Sequence, residues 1–382
     1  MNGKKVLCGL DRIDTADALL KGRRVGLMTN QTGIDSRFRS GIDRIAARYH
    51  LTALFAVEHG IRGDAQAGED YETRPDPATG VPVYAVYGKT RRLTADMLDA
   101  FDVLVFDMQD VGARFYTYLY ALSFALEECA RAGKPVIVLD RVNPLGGERV
   151  EGTVLDPRFF SYVGMYPLPT RYGLTIGEYA LWVRAHLRLD LDLTVVPLAG
   201  WKREYDLDGL NIPWVAPSPN CATLHAARCY IGSCVFEGTN VSEGRGTTLP
   251  FEYIGAPWID APALEKRMAA HDLPGLHFRA AYFTPTFSKY AGENCRGVQM
   301  HVTDPAAACA VEGALTLLDE IRRMYPDRLQ WHCNAPGDYF IDKLLGTDAY
   351  RLGRHDAHSL LAAHAPARAA FMEERKAFLL YA

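Results

Sequence analysis

The sequence predicts an α/β protein, with a parallel sheet in its N-terminal part and a smaller mixed α+β domain behind it. Three observations carry this. The apolar runs at 25–28, 54–57, 103–106 and 136–139 lack the polar alternation of a half-exposed strand, so they suit strands covered on both faces. The stretches between them are long enough for crossover connections. Each run ends in polar side chains: Thr29-Asn30-Gln31, Glu58-His59-Gly60, Asp107-Met108-Gln109-Asp110 and Asp140-Arg141-Val142-Asn143. In an open, Rossmann-like sheet, ligands sit outside the carboxyl ends of the strands, so the four clusters are expected to converge on one polar cleft.

Between the third and fourth runs, Phe115, Leu119, Leu122, Leu126 and Cys129 recur at helical spacing, and Gly133-Lys134-Pro135 stops that helix. A right-handed strand, helix, strand unit follows from this order. The segment 144–173, rich in Gly, Pro and aromatics, reads as a long loop of the kind that carries function. Thr175-Ile176-Gly177-Glu178 matches a capping box, which starts a helix and assigns Glu178 to its cap. The apolar run 193–198 extends the sheet.

From Pro217 the texture changes to Pro, Gly, Thr and Asn, and 382 residues exceed what one hydrophobic core usually serves. The division is therefore expected near residue 220. Residues 1–220 form the Rossmann-like domain and 221–382 an α+β domain that contributes a cleft wall. In the second part, 297–303 reads as a strand. Asp304-Pro305 reads as N-cap and first turn of a helix carrying Ala314, Leu317, Leu318 and Ile321.

Composition excludes several classes of function. Lys plus Arg number 42 against 46 Asp plus Glu, a formal charge of −4 with no basic block, so nucleic acid is not an expected partner. No apolar stretch approaches the roughly 20 residues that cross a bilayer. The eight cysteines include no C-x-x-C pair, the histidines show no zinc spacing, and neither a G-x-G-x-x-G after the first strand nor a P-loop is present. No metal and no cofactor are expected. The first residues lack an apolar leader core, which makes the compartment cytoplasmic as the sequence stands, or periplasmic or secreted if an export signal was removed.

Glu58 is the leading candidate for chemistry, because a carboxyl just past an apolar strand end is partly desolvated, which raises its pKa toward a range useful to a general acid. His59 stands ready to orient or protonate. The structural alternative for Glu58 is an ion pair with Arg62. Asp107 and Gln109 share one face of an extended chain and suit sugar hydroxyls or a water; Asp110 suits a base or a helix cap. Arg114 is a fork-shaped donor for a carboxylate. Tyr116 offers a stacking platform, Glu151 a second carboxylate, and Glu237, Asn240, Glu243 and Arg245 ride a Gly-rich loop suited to a cleft wall.

Five blocks together are distinctive: Glu58-His59-Gly60-Ile61-Arg62-Gly63, the stretch from Asp107 to Tyr118, that from Leu139 to Pro144, Pro217-Ser218-Pro219-Asn220, and Glu237 to Thr248. In this order they resemble the YbbC-like, or NamZ, family of exo-β-N-acetylmuramidases over nearly the whole chain. Val57 and Val142 stand where that family commonly has proline, and neither removes a functional group. The resemblance implies release of N-acetylmuramic acid from the non-reducing end of peptidoglycan fragments, with Glu58 as general acid. It also implies a small carbohydrate as partner. Asn30, Gln109, Asn143 and Asn220 join the residues expected to contact it. The lactyl carboxylate of the sugar calls for a bidentate arginine, from among Arg114, Arg141 and Arg245. Asp107, Asp110, Glu151 or the substrate's own acetamido group completes the chemistry. Two other readings fit the residues: a non-catalytic sugar-binding protein, and a hydrolase of another anionic small molecule.

Overall fold

The structure, a computed structural model, describes residues 4–58, 60–62, 74–88 and 90–382. The N-terminal part contains α1 (Asp17–Leu20), β1 (Arg24–Thr29), α2 (Gly41–Arg48), β2 (His50–Ala56), β3 (Arg74–Pro75), β4 (Pro82–Ala85), α3 (Ala95–Asp99) and β5 (Val103–Asp107). It continues with α4 (Tyr118–Arg131), β6 (Val136–Leu139), β7 (Glu151–Val154), β8 (Pro169–Arg171), α5 (Ile176–His186) and β9 (Leu193–Val196). The main sheet has the order β3-β4-β2-β1-β5-β6-β9, parallel throughout except for β3 at its edge.

Both faces of this sheet are covered, which is why its strands read as unbroken apolar runs. Val25, Leu27, Leu54, Val103, Val105 and Ile137 point to one side, against Ile42 and Ile45 of α2. Met28, Phe55, Leu104, Phe106, Val136 and Val138 point to the other, against Leu119, Leu122 and Leu126 of α4. Gly26 lets two rings close over the sheet centre, since a Cβ there would come within 2.9 Å of both Phe55 and Phe101. The chain steps outward from β1 to β2 and β4, then returns through α3 to lay β5 on the opposite side of β1. That reversal opens a crevice at the carboxyl ends of β1, β2 and β5.

The second part contains α6 (Leu224–Ser233), β10 (Tyr253–Ala256), α7 (Ala261–Met268), β11 (Leu276–Phe283), β12 (Cys295–Val302) and α8 (Ala310–Met324). β10, β12 and β11 form an antiparallel sheet that includes the expected strand at 297–303. After it come the short β13 (Cys333–Ala335) and β14 (Asp338–Tyr339), then α9 (Phe340–Leu345), α10 (Ala357–Ala363) and α11 (Ala365–Glu374). The last residues return to the first domain. Trp182 Nε1 donates to Glu374 (2.8 Å), and Arg375 Nη1 donates to the Gly147 and Gly173 carbonyls (3.0 and 2.8 Å). Tyr381 receives the Leu198 N–H (2.9 Å) and donates to Asp140, while the Arg203 N–H donates to the Ala382 carbonyl (2.9 Å).

Two expectations are corrected. The segment 144–173 is not one loop: β7 and β8 pair within it as an antiparallel ribbon. The helix expected from Asp304 begins at Ala310, because the Asp304 carboxylate caps only a turn, accepting from the Ala306 and Ala307 N–H groups (3.0 and 3.3 Å). The Thr175 capping box is formed on both sides, with Glu178 Oε2 on the Thr175 N–H (3.0 Å).

Candidate active site

Glu58 follows β2 by two residues and is half-buried at the crevice. Both of its oxygens are held. Tyr87 Oη, from the turn after β4, donates to Oε1 at 2.8 Å, and Thr117 Oγ1, at the start of α4, donates to Oε2 at 2.9 Å. Arg62 is turned away to Asp76, with Nη2 2.8 Å from Oδ1, so the ion pair weighed as the structural alternative for Glu58 is not made. Burial, reinforced by the charge of Glu58, pushes the Tyr87 phenol well above its ordinary pKa, and it remains a donor.

From Thr117 an aromatic wall runs toward the second domain. The Tyr116 ring lies edge-on to Tyr118 (4.8 Å) and Tyr230 (6.0 Å), Tyr230 meets Phe251 (4.6 Å), and the Arg245 guanidinium lies 5.0 Å over Phe251. Tyr118 donates to the Pro217 carbonyl (2.6 Å), which ties the Pro-rich crossing, with buried Asn220 in it, to this wall. Arg245 holds Glu237 through Nε and Nη2 (3.1 and 2.6 Å), and Glu243 is shared by Arg245 (3.4 Å) and Lys289 (2.9 Å). Asn30 gives its Oδ1 to the Thr32 N–H and hydroxyl (3.0 and 2.6 Å). Among the described residues, its Nδ2 is buried without a hydrogen-bond partner, as is Tyr116 Oη. Buried polar atoms left open in this way are where a ligand's hydrogen bonds fit.

Other expected site residues are used by the scaffold, and the idea of one convergent cluster is corrected accordingly. Asp107 lies on the face of the sheet toward α2 and grips Arg141 through two bonds, at 2.6 and 2.9 Å. Arg141 also donates to the Ile34 carbonyl (3.1 Å), and although burial works against its charge, Asp107 outweighs that and holds it above its ordinary pKa. Gln109 Nε2 donates to the Asp110 and Val142 carbonyls, both at 2.8 Å. Arg114 is fully buried and donates to three carbonyls, Thr153, Leu168 and Leu344 (2.7, 2.8 and 2.6 Å), a cross-brace in place of a carboxylate reader. Asn143 spans Leu174 O and the Leu145 N–H (2.9 and 3.0 Å) beneath Gly112, where a Cβ would reach 2.6 Å from its Oδ1.

Asp110 does not cap α4, which starts at Tyr118; it accepts the Gly112 N–H (2.6 Å) and the Tyr172 hydroxyl. Glu151 faces a different cleft, of about 410 Å³, where Arg171 (2.5 Å) and Arg149 (3.4 Å) hold its Oε1. Asn240 fastens its loop to the Arg328 carbonyl and the Gln330 N–H, both at 2.9 Å. His59 lies outside the described residues. Tyr87 and Thr117 were not anticipated. Residues 81–87 are apolar or aromatic without a period-2 pattern and include Pro82, which weakens the strand signal, and Thr117 is inconspicuous inside its aromatic block.

Two buried carboxyls lower stability as pH rises, partly offset by His364, whose imidazole burial holds down at about 4. Burial pushes Asp140 up to about 7, against the hydrogen bonds it accepts from Tyr381 and the Gly177 N–H, and pushes Asp110 up to about 6, against those from Tyr172 and Gly112. Between about pH 4 and 7 the folded chain keeps a proton on Asp140 that the unfolded chain has released, so stability falls as pH rises through this window. The thermal midpoint is therefore expected to be higher at about pH 5 than at about pH 8. Asp140→Asn should flatten that slope in a melting series, and an unchanged slope would remove Asp140 as its source.

A half-buried carboxyl at the switch point of a parallel sheet, beside a wall of aromatic rings, is an arrangement that suits an α/β glycosidase. The N-terminal model of the exo-β-N-acetylmuramidase NamZ matches residues 25–225, and the C-terminal model matches 228–381. The chain belongs to the NamZ exo-β-N-acetylmuramidase family. It is similar to the peptidoglycan β-N-acetylmuramidase NamZ of Bacillus subtilis (strain 168), with 43% identity over 99% of this chain and 92% of that one. Crystal structures of two DUF1343 family proteins from Bacteroides fragilis NCTC 9343 share the fold. One superposes with a TM-score of 0.90 at 33% identity, covering 99% of this chain and 100% of the other; the second gives 0.75 at 29%, covering 98% and 99%.

Proposed function

We propose that the protein removes N-acetylmuramic acid from the non-reducing end of peptidoglycan fragments, with Glu58 protonating the departing glycosidic oxygen. The observation that supports this most is the two-hydroxyl seat of Glu58 at the crevice, in which no described residue pairs the carboxyl with a cation. The Rossmann-like part, residues 1–220, carries the acid, and residues 221–382 bring Arg245 to the opposite wall. Of the three arginines that could read the lactyl carboxylate, Arg114 is spent on carbonyls and Arg141 is buried against Asp107, whereas Arg245, held by Glu237, keeps its side chain partly exposed. Asn30 Nδ2 and Tyr116 Oη supply further hydrogen bonds to the sugar. Eight free cysteines, six of them buried, fit a reducing cytoplasm. No helix among the described residues is long and apolar enough to cross a membrane.

A chromogenic N-acetylmuramic acid glycoside, run beside its N-acetylglucosamine counterpart, tests this reading. Release is expected from the first and not the second. Turnover of both would remove Arg245 as a reader of the lactyl group, and turnover of neither would overturn the enzymatic assignment.

A further inference from the structure

Thr117 is the N-cap residue of α4, yet its hydroxyl makes no cap hydrogen bond. A threonine in that place normally accepts an N–H from the first turn. Here the hydroxyl is directed to Glu58 Oε2 instead. Tyr87 serves Oε1 from the opposite side of the carboxyl, so each oxygen has one hydroxyl partner from a separate element.

The two partners are not equivalent. Tyr87 sits against Tyr162 (6.4 Å between ring centroids), which in turn lies under the Arg91 guanidinium (4.2 Å), and its phenol is the better donor and the poorer acceptor because its oxygen lone pair is delocalised into the ring. The Thr117 hydroxyl turns about a single bond and can donate to a carboxylate oxygen or accept from a protonated one. When Glu58 takes up a proton, Oε1 keeps its donor, and Oε2 is the oxygen whose partner can reverse.

We propose that Tyr87 and Thr117 are positioning residues that fix the transferable proton of Glu58 on Oε2. This rests on the reading of Glu58 as general acid. In the step itself the Oε2–H bond breaks as the proton passes to the glycosidic oxygen and the bond from that oxygen to the anomeric carbon opens. The carboxylate left behind regains both hydroxyl bonds. A water oxygen bonds to the anomeric carbon, directly or after the substrate's own acetamido oxygen, and the proton that this water sheds returns to Glu58. The other described groups that face Glu58 are the Tyr118 and Tyr162 phenols, with Arg91 beyond Tyr162 and the amino end of α4 adding partial positive charge.

The test is the pH profile of kcat/KM on the chromogenic N-acetylmuramic acid glycoside for the full-length protein and for Tyr87→Phe, Thr117→Val, Thr117→Ser and Glu58→Gln. Removing the Tyr87 donor withdraws a bond from the charged form, so the alkaline limb should move up by about one pH unit. Thr117→Val should lower kcat about tenfold at little cost in KM, and Thr117→Ser should restore it to within about twofold. Thermal melting of each variant separates these effects from loss of fold, and if Tyr87→Phe fails to fold the threonine pair decides. An unmoved limb in Tyr87→Phe, or a serine variant as impaired as the valine one, overturns the inference while an inactive Glu58→Gln keeps the acid reading. A Glu58→Gln variant with full activity overturns both.

Discussion

Glu58→Gln is expected to lower kcat/KM by roughly 10²-fold or more, with the fold intact. The amide has the shape of the carboxyl, still accepts from Tyr87 through its oxygen, and offers N–H groups to the Thr117 hydroxyl, which accepts as readily as it donates. Only the transferable proton is lost. Turnover of the muramic acid glycoside and a melting curve, taken together, decide the matter. A variant that melts normally and turns over at the wild-type rate would end the assignment of Glu58 as acid. A pure binding protein would show no such dependence, because capture of a sugar needs no proton donor.

The largest effect on stability is expected from Asp107→Asn. Both oxygens of Asp107 are engaged by Arg141 and neither side chain reaches solvent appreciably, so the substitution takes from a buried guanidinium the counter-charge bonded to it. Breaking one side of such a pair costs about 3–5 kcal/mol. The melting temperature should fall steeply, while kcat, measured where the variant is still folded, should hold. Pairing Asp107→Asn with Arg141→Met should recover part of the loss, since the stranded charge is then gone. A large drop in kcat at unchanged stability would return Asp107 to the reaction.

These two residues show what the sequence reveals and what it hides. β1, β2, β5, β6 and β9 were legible because burial on both faces leaves contiguous apolar runs. β3 and β4 were not, being short, at the sheet edge and interrupted by proline. The ribbon of β7 and β8 hides for a related reason, since Gly152 and charged ends remove the periodic signal. At the site, Glu58, Asn30, Tyr116 and Arg245 stand where the strand ends and the Gly-rich loop pointed. Asp107, Arg141, Arg114 and Asn143 are of the same chemical types and are consumed by internal contacts. An arginine fork fits three carbonyls as well as it fits a carboxylate, and only burial and partners distinguish the uses.

The return of the C-terminal residues to Gly147, Gly173, Trp182, Leu198 and Arg203 bears on how the molecule is made. A ribosome delivers the parallel sheet long before it delivers Glu374, Arg375 and Tyr381, so the first half emerges with those bonding positions vacant. Nascent chains would hold an unfinished sheet domain until residues 374–382 have emerged. A gene cut near codon 220 would yield a product lacking its own fasteners, better supplied by co-expressing the missing half than by adding solubility tags.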